Sequence, residues 1–443
     1  MQEAFQEFVV PYEAKDRGSM MVGELKSESA TFPDMLVQFS KVQPYSRKAQ
    51  IHLYPRLEEV KRLYAMRPPF SFRSETKLNQ EGQETWTAQG IWIKSGSKIG
   101  IGSPIFWSAP FGEVESLEIT SQSKDDLFKS STSTAWFAVN QCFAFQILAN
   151  PDEEDIENAK KYGFESRTPF FVSVSDGATA EINRRPRAHR TKGLKEITKD
   201  GYSVTIRDYK DVDTVREDAE AIMILASLAS RERTMFWHWS FSSGAGDLKR
   251  IWRFNAGKFP KRDSHHEPLL LRETGAGRQF METAFPIYRS ALHKPLFDGA
   301  VYALLAKDLV LEVRIARLFA GIQGALLFAL QEPRGKTRPK MSALLGQFTA
   351  KFGDHFADLW PLLWDPNGGA ALSDLRNAVV HGDTFSEEDF LALSYASENL
   401  TWILERILLL ALGWKIDDSY VSPRSLWNFN AHQWQTVQHN FKI

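Results

Sequence analysis

The chain has 443 residues, 43% of them hydrophobic and 25% charged, with a formal net charge of −1. That is enough apolar material for two or three domains with substantial cores, and the near-neutral balance excludes a protein whose whole surface is a field for nucleic acid or anionic lipid. The single cysteine, Cys142, excludes an intramolecular disulfide framework and a cysteine-built zinc site, and its Phe143-Ala144-Phe145 flank marks it as a small buried residue.

At the start, Met1-Gln2-Glu3-Ala4 has neither a basic beginning nor an apolar run, so no signal peptide is read. The most apolar segment, Leu309 to Leu330, carries Glu312, Arg314, Arg317 and Gln323, which favours a core helix over a membrane span. The expectation is a cytoplasmic protein with no membrane partner.

From about Val22 to Phe259 the punctuation is short and β-like. Strands are expected at Val22 to Leu25, Ala49 to Tyr54, Trp86 to Ile93, Ile99 to Trp107, Val114 to Ile119, Ala135 to Val139 and Phe143 to Leu148. More are expected at Phe170 to Val174, Tyr202 to Ile206, Met235 to Phe241 and Lys249 to Phe254. Two helices interrupt them, Glu153 to Tyr162 and Thr214 to Ser230, the latter with Ala219, Ile222, Leu225 and Ala226 on one face. Gly96 to Gly102 and Ser243 to Asp247 read as turns, since no phosphate-binding fingerprint follows either. Trp237-His238-Trp239 reads as a strand packing alternate faces. His265-His266-Glu267 lacks a third partner for a metal, and no metal or cofactor is expected. Arg184, Arg185, Arg187, Arg190 and Lys192 gather without a carboxylate among them in what reads as a proline-broken loop, either a solvated surface or a patch that holds phosphate.

Between Phe259 and Pro268 the composition turns from strands to Leu/Ala-rich helices. This divides the chain into a β-rich α+β region, 1–262, with a joint near 150 that would split it into two lobes, and a helical region, 263–443. Helices are expected at Phe280 to Leu292, Phe297 to Leu330, Met341 to Phe352, His355 to Trp364, Ala370 to His381 and Glu387 to Leu412. Ser386 with Asp389 makes a start signal for the last of these, and the tail from Asp417 is expected to pack back on the body.

The chemistry concentrates in Leu375-Arg376-Asn377-Ala378-Val379-Val380-His381-Gly382-Asp383. Ala371, Leu372, Leu375, Ala378 and Val379 recur at helical spacing as a buried stripe, and Asn377 and His381, one turn apart, lie roughly opposite it. Gly382 would end the helix, which puts His381 in the last turn, where the carbonyl end of the dipole favours imidazolium. The interval alone is common here: Arg47/His52, Arg184/His189 and Arg233/His238 share it. Only the late pair sits in a helical pattern, has a polar residue directly after the arginine and ends on glycine. A purely structural alternative pairs Arg376 with Asp374 or Asp383 at a plain helix end.

Arg-polar-x-x-x-His near a helix end resembles the signature of the HEPN superfamily, and Leu311 to Ala320 resembles the long second helix of its ApeA-like type. The resemblance covers about Pro295 to Gly413. It implies an all-α bundle and a metal-independent endoribonuclease in which Arg376 and His381 are catalytic and Asn377 assists. It further implies a composite site at a homodimer interface, an RNA substrate, and abortive-infection biology in which the β-rich region senses a phage-derived trigger. The alternative is a non-catalytic HEPN dimerisation or ligand-binding module, with function carried by the β-rich region.

Overall fold

The computed structural model describes residues 18–40, 49–55, 59–65, 68–78, 82–94, 111–123, 133–139, 170–191, 194–242, 248–253, 269–270, 276–306, 310–331, 340–356, 358–359, 377, 379 and 389–426. A large antiparallel β region comes first and helices dominate the C-terminal half, an α+β chain.

Among the described residues, thirteen strands form one sheet. Its first part is β1 (Gly18–Lys26), β2 (Thr31–Ser40), β3 (Gln50–Tyr54), β4 (Phe70–Leu78), β5 (Gly82–Lys94) and β6 (Phe111–Glu113), with helix α1 (Val60–Ala65) between β3 and β4. The order β4-β1-β2-β3-β6-β5, with β4 also paired to β5, closes these six strands into a ring. Closure removes sheet edges and gives alternate residues an inside. Met35, Val37 and Phe39 of β2 point inward at period two and meet Phe70 and Phe72 of β4, all buried. β2 was not among the expected strands, and Pro33 interrupts its pattern. The chain absorbs the proline in a bulge, where the pairing jumps from Gly23↔Met35 to Leu25↔Phe32.

β5 serves two partners on one side. Gly82 to Gln89 pair with β7 (Ser116–Ser123), whereas Trp92 to Lys94 pair with β6. At the switch Gly90 takes φ +63°, and a Cβ there would lie 2.3 Å from a Glu115 carboxylate oxygen, so glycine is required on both counts. The Glu115 N–H bonds the carbonyls of Gln89 and Gly90, each at 3.2 Å.

From β7 the sheet continues through β13 (Leu248–Arg253), β12 (Phe236–Ser242), β8 (Thr134–Val139), β11 (Leu194–Arg207), β10 (Thr179–Thr191) and β9 (Phe170–Ser173). Ala135, Phe137 and Val139 of β8 and Trp239 and Phe241 of β12 face a large core that they share with the helices. On the opposite face, His238 lies between Trp136 and Trp252, at ring-centre distances of 5.4 and 4.3 Å.

Helix α2 (Val212–Ser230) covers the first face. Asp211 starts it by accepting from the Thr214 N–H at 2.7 Å, and Arg231 ends it in the left-handed region at φ 53°. Then come α3 (Ala276–Ser290), α4 (Lys294–Leu305), α5 (Leu311–Leu330), α6 (Met341–Phe352) and α7 (Asp389–Ala411). The large core runs from Ala135 to Leu426, drawing on strands before position 262 and helices after it.

Several expectations are corrected. The single helix expected from Phe297 to Leu330 is two, because α4 folds back along α5. A Cβ on Gly321 would touch Ala303 and Leu404 at 3.0 Å each, and one on Gly324 would meet the Leu296 carbonyl at 3.2 Å. Those glycines let the helices approach closely enough to bury both apolar faces. The helix expected from His355 does not begin there: Gly353 to Phe356 are non-helical, and Asp358-Leu359 form a turn. The arginine-rich stretch read as a loop is instead the outer part of β10. The pairing shifts between Arg185↔Gly201 and Arg187↔Thr198, so Pro186, which has no N–H to donate, sits at a bulge. The strands expected at Ile99 to Trp107 and Phe143 to Leu148, the helix at Glu153 to Tyr162 and the 265–267 cluster lie outside the described residues.

By length and composition, α5 is apolar enough to cross a membrane. It packs against α4, α6 and α7, with Ile315, Leu318, Phe319 and Ile322 buried. Of the tail from Asp417, the part to Leu426 is described: Val421 and Leu426 join the large core, just after Trp414 and Ile416, and Leu270 bridges Ser419, while 427–443 lie outside the described residues.

Candidate active site

Of the motif stretch, two residues are described. Asn377 and Val379 are both helical; Asn377 is exposed, while Val379 is half-buried and packs on the large core. One residue of the predicted stripe and one of the predicted polar positions thus stand on the sides that the periodicity assigns to them. Arg376, His381, Gly382 and Asp383 lie outside the described residues, as does Lys192 of the basic cluster.

The nearest described segments before and after the motif are both anchored in the core. Upstream, Phe356 and Leu359 are buried in the large core. Downstream, α7 begins at Asp389, with Leu393, Ala396 and Leu400 buried. Arg406 of α7, fully buried, ties the two sides together. Its Nη1 and Nη2 donate to the two carboxylate oxygens of Asp358 at 2.6 and 2.8 Å, Nη1 also donates to the His355 carbonyl, and Nε donates to the Val421 carbonyl at 2.7 Å. A guanidinium can be buried at this cost because four of its hydrogen bonds converge on fixed acceptors.

The neighbouring residue, Glu405, is 1% exposed and receives a two-pronged bond from Arg231, at 2.7 Å in each prong. Arg231 is the residue that ends α2, so the helix lying on the sheet is fastened to the helix that follows the motif. A second fastening joins α2 to α3. Asp218 is 1% exposed and accepts from the Ser175 N–H and Oγ at 3.0 and 2.7 Å and from Arg289 Nε at 2.7 Å. Neither network was anticipated. The signal available in the sequence was an adjacent Glu405-Arg406 pair inside an apolar helix, where charge is costly unless partnered.

Other titratable groups compete for attention. His238 donates from Nδ1 to the Ile251 carbonyl at 3.0 Å, and burial lowers its pKa to about 3, so at neutral pH it is an uncharged strand residue unsuited to general acid work. Tyr288 donates to Asp298 at 2.7 Å. Burial raises Asp298 above the usual carboxylate range against the lowering effect of that bond, and burial followed by the Asp298 charge pushes the Tyr288 hydroxyl up. Arg233 lies over the Tyr302 ring at 5.3 Å in the same region. Glu312 is half-buried in the first turn of α5, where the helix dipole suits a carboxylate, and Arg314 of that turn reaches Thr401 of α7 at 3.5 Å. Among the described residues, no three His, Cys, Asp or Glu side chains gather as a metal site would require.

Comparison with known proteins finds no matching family model, no matching curated protein and no matching solved structure.

Proposed function

We propose that the chain is a metal-independent endoribonuclease of HEPN type, with its active site completed between two copies and its activity directed to anti-phage defence by abortive infection. The observation that carries this reading is the Arg376-Asn377-x-x-x-His381-Gly382 motif, whose Asn377 is helical and exposed while Val379 turns to the core. Cleaving RNA without a metal needs a base for the ribose 2′-hydroxyl, a cation for the phosphorane and an acid for the leaving 5′-oxygen. His381 takes the proton-transfer roles, Arg376 the charge, and Asn377 orients the imidazole or the substrate backbone. The products are a 2′,3′-cyclic phosphate and a 5′-hydroxyl. One histidine and one arginine are few for this chemistry, and a second copy of the motif across a two-fold axis supplies the remainder. The β-rich region then senses a phage-derived trigger.

Overexpression of wild type beside Arg376→Ala and His381→Ala tests the reading. Expected are growth arrest and fragmented RNA with wild type, and neither with the two folded variants, a rate loss of about 100-fold or more. If all three behave alike with and without phage challenge, the bundle is a scaffold and function belongs to the β-rich region.

A further inference from the structure

We propose that the ion pairs Arg231–Glu405 and Arg406–Asp358 form one positional latch, through which movement of the sheet-bound helix α2 is passed to the segment that carries Arg376 and His381. That the latch regulates RNA cleavage rests on the ribonuclease reading; the mechanical coupling does not.

The latch begins with a residue whose direction is fixed. Arg231 ends α2 at φ 53°, in the left-handed region that a helix end normally gives to glycine. Its N–H bonds the Leu228 carbonyl at 3.2 Å, and the Glu232 N–H bonds the Ser227 carbonyl at 3.3 Å. Ser227 Oγ accepts from the Thr234 N–H at 2.8 Å, which sets the chain leaving the helix as well. A side-chain-bearing residue in this conformation is strained where glycine would not be, and such strain persists where neighbouring contacts over-determine it. What arginine adds is a reach of 174 positions along the sequence to α7, where it holds both carboxylate oxygens of Glu405 at 2.7 Å. Behind it, α2 is bedded on the sheet: Ala219, Ile222 and Leu225 share a core with Phe137 and Trp239. A displaced sheet therefore carries Arg231 with it.

The joint responds to position in a way that an apolar contact does not. Hydrocarbon faces still gain when they slide, but a two-pronged pair is satisfied at one relative placement of α2 and α7. Glu405 is buried, so a helix shift of about 1–2 Å would strip the counter-charge from an enclosed carboxylate. Helix α7 must follow α2 or lose the pair. The next residue, Arg406, repeats this geometry toward Asp358, with its Nη1 and Nη2 at 2.6 and 2.8 Å from the two carboxylate oxygens. Both buried partners, Glu405 and Arg406, thus belong to α7, and the outer partners come from other parts of the chain. Asp358 and Arg406 stand in sequence on either side of Arg376 and His381. A shift of α7 is applied to that segment at both ends: at Asp358 through Arg406, and at Asp389 through the helix itself.

The test uses the full chain and separates coupling from stability. Arg231→Gln leaves Glu405 unpaired and should lower the denaturant midpoint. Arg231→Gln together with Glu405→Gln removes both charges and should return the midpoint to near that of wild type, with the clasp still absent. Amides of 353–359 and 377–396 should nevertheless exchange at least about tenfold faster in both variants, while those of α4 exchange as in wild type. Asp358→Asn, which opens the latch at its other end, should reproduce the change in 377–396. Protection that returns in the double variant along with its midpoint would reduce the effect to global stability and overturn the proposal. So would changes confined to the neighbours of 231 and 405, or no response to Asp358→Asn. Cleavage is scored alongside, and kcat of the double variant should fall about tenfold with KM within about twofold, because the catalytic side chains lose fixed placement. Faster exchange with no cleavage by any form, wild type included, would keep the coupling and remove the nuclease reading. Cleavage by the double variant at the wild-type kcat would overturn the latch as a regulator and leave the nuclease reading standing.

Discussion

At the scale of single residues, burial decides chemistry. His238 is enclosed by Trp136 and Trp252, and its pKa is lowered from 6.5 to about 3 by desolvation, against the raising effect of its bond to Ile251. Between those two pH values the unfolded chain carries the extra proton, so the contribution of the neutral imidazole is complete above pH 6.5 and is lost as pH falls toward 3. At about 1.4 kcal/mol per pH unit, folding stability should drop by roughly 2 kcal/mol between neutrality and pH 5. Urea unfolding at several pH values checks this, and His238→Gln should flatten that part of the curve. An unchanged curve in the variant would show that other groups govern acid sensitivity. Arg406 shows the opposite arrangement, a guanidinium enclosed in the core and met there by acceptors from Asp358, His355 and Val421. Around the candidate catalytic residues, the helical frame of Asn377 and of the stripe residue Val379 was legible in the sequence by period alone. The partners that anchor the surrounding chain were not legible, because Asp358 and Arg406 are 48 positions apart and meet only through tertiary packing.

At the scale of elements, what was readable depended on whether local pattern and global packing agreed. The stripe of Met341, Leu344, Leu345, Phe348 and Phe352 marks α6 without ambiguity, and the helix occupies Met341–Phe352. β10 was misread as a loop because Pro186 argues against a strand, and pattern cannot show that a bulge on the partner will accommodate it. The division of one expected helix into α4 and α5 was hidden for a related reason: Leu and Ala suit a helix throughout, and the turn is dictated by what α5 must pack against. Gly321 is the contact that makes this possible, with α4 on one side and α7 on the other. Gly321→Val would push both neighbours at once. The expected cost is about 1–3 kcal/mol from overpacking, read as a lower denaturant midpoint with little change in slope. A stability equal to wild type would mean that the helices separate without penalty.

At the scale of the whole molecule, composition suggests two parts, but the large core is continuous across them. Ala219, Ile222, Leu225 and Leu228 of α2 are buried in the same cluster as Phe280, Phe297 and Ile403, and Leu269 donates to the Ala229 carbonyl at 2.8 Å. Residues 263–443 expressed alone should therefore expose an apolar face, bind a hydrophobic dye and melt without a cooperative transition. A sharp, dye-free transition would establish the helices as self-sufficient. The contacts that join sheet to helices run through the same ground: Arg231 closes α2 and clasps Glu405, one position before the arginine that binds Asp358. The strand β5 poses a further constraint, one that concerns recombination. Its two halves are claimed by β7 and β6, so a chimera joined anywhere from Gly82 to Ser123 would part strands from their partners in both the ring and the open sheet. Exchange of the β-rich region between variants of this protein should succeed only when that whole block travels as one inheritance.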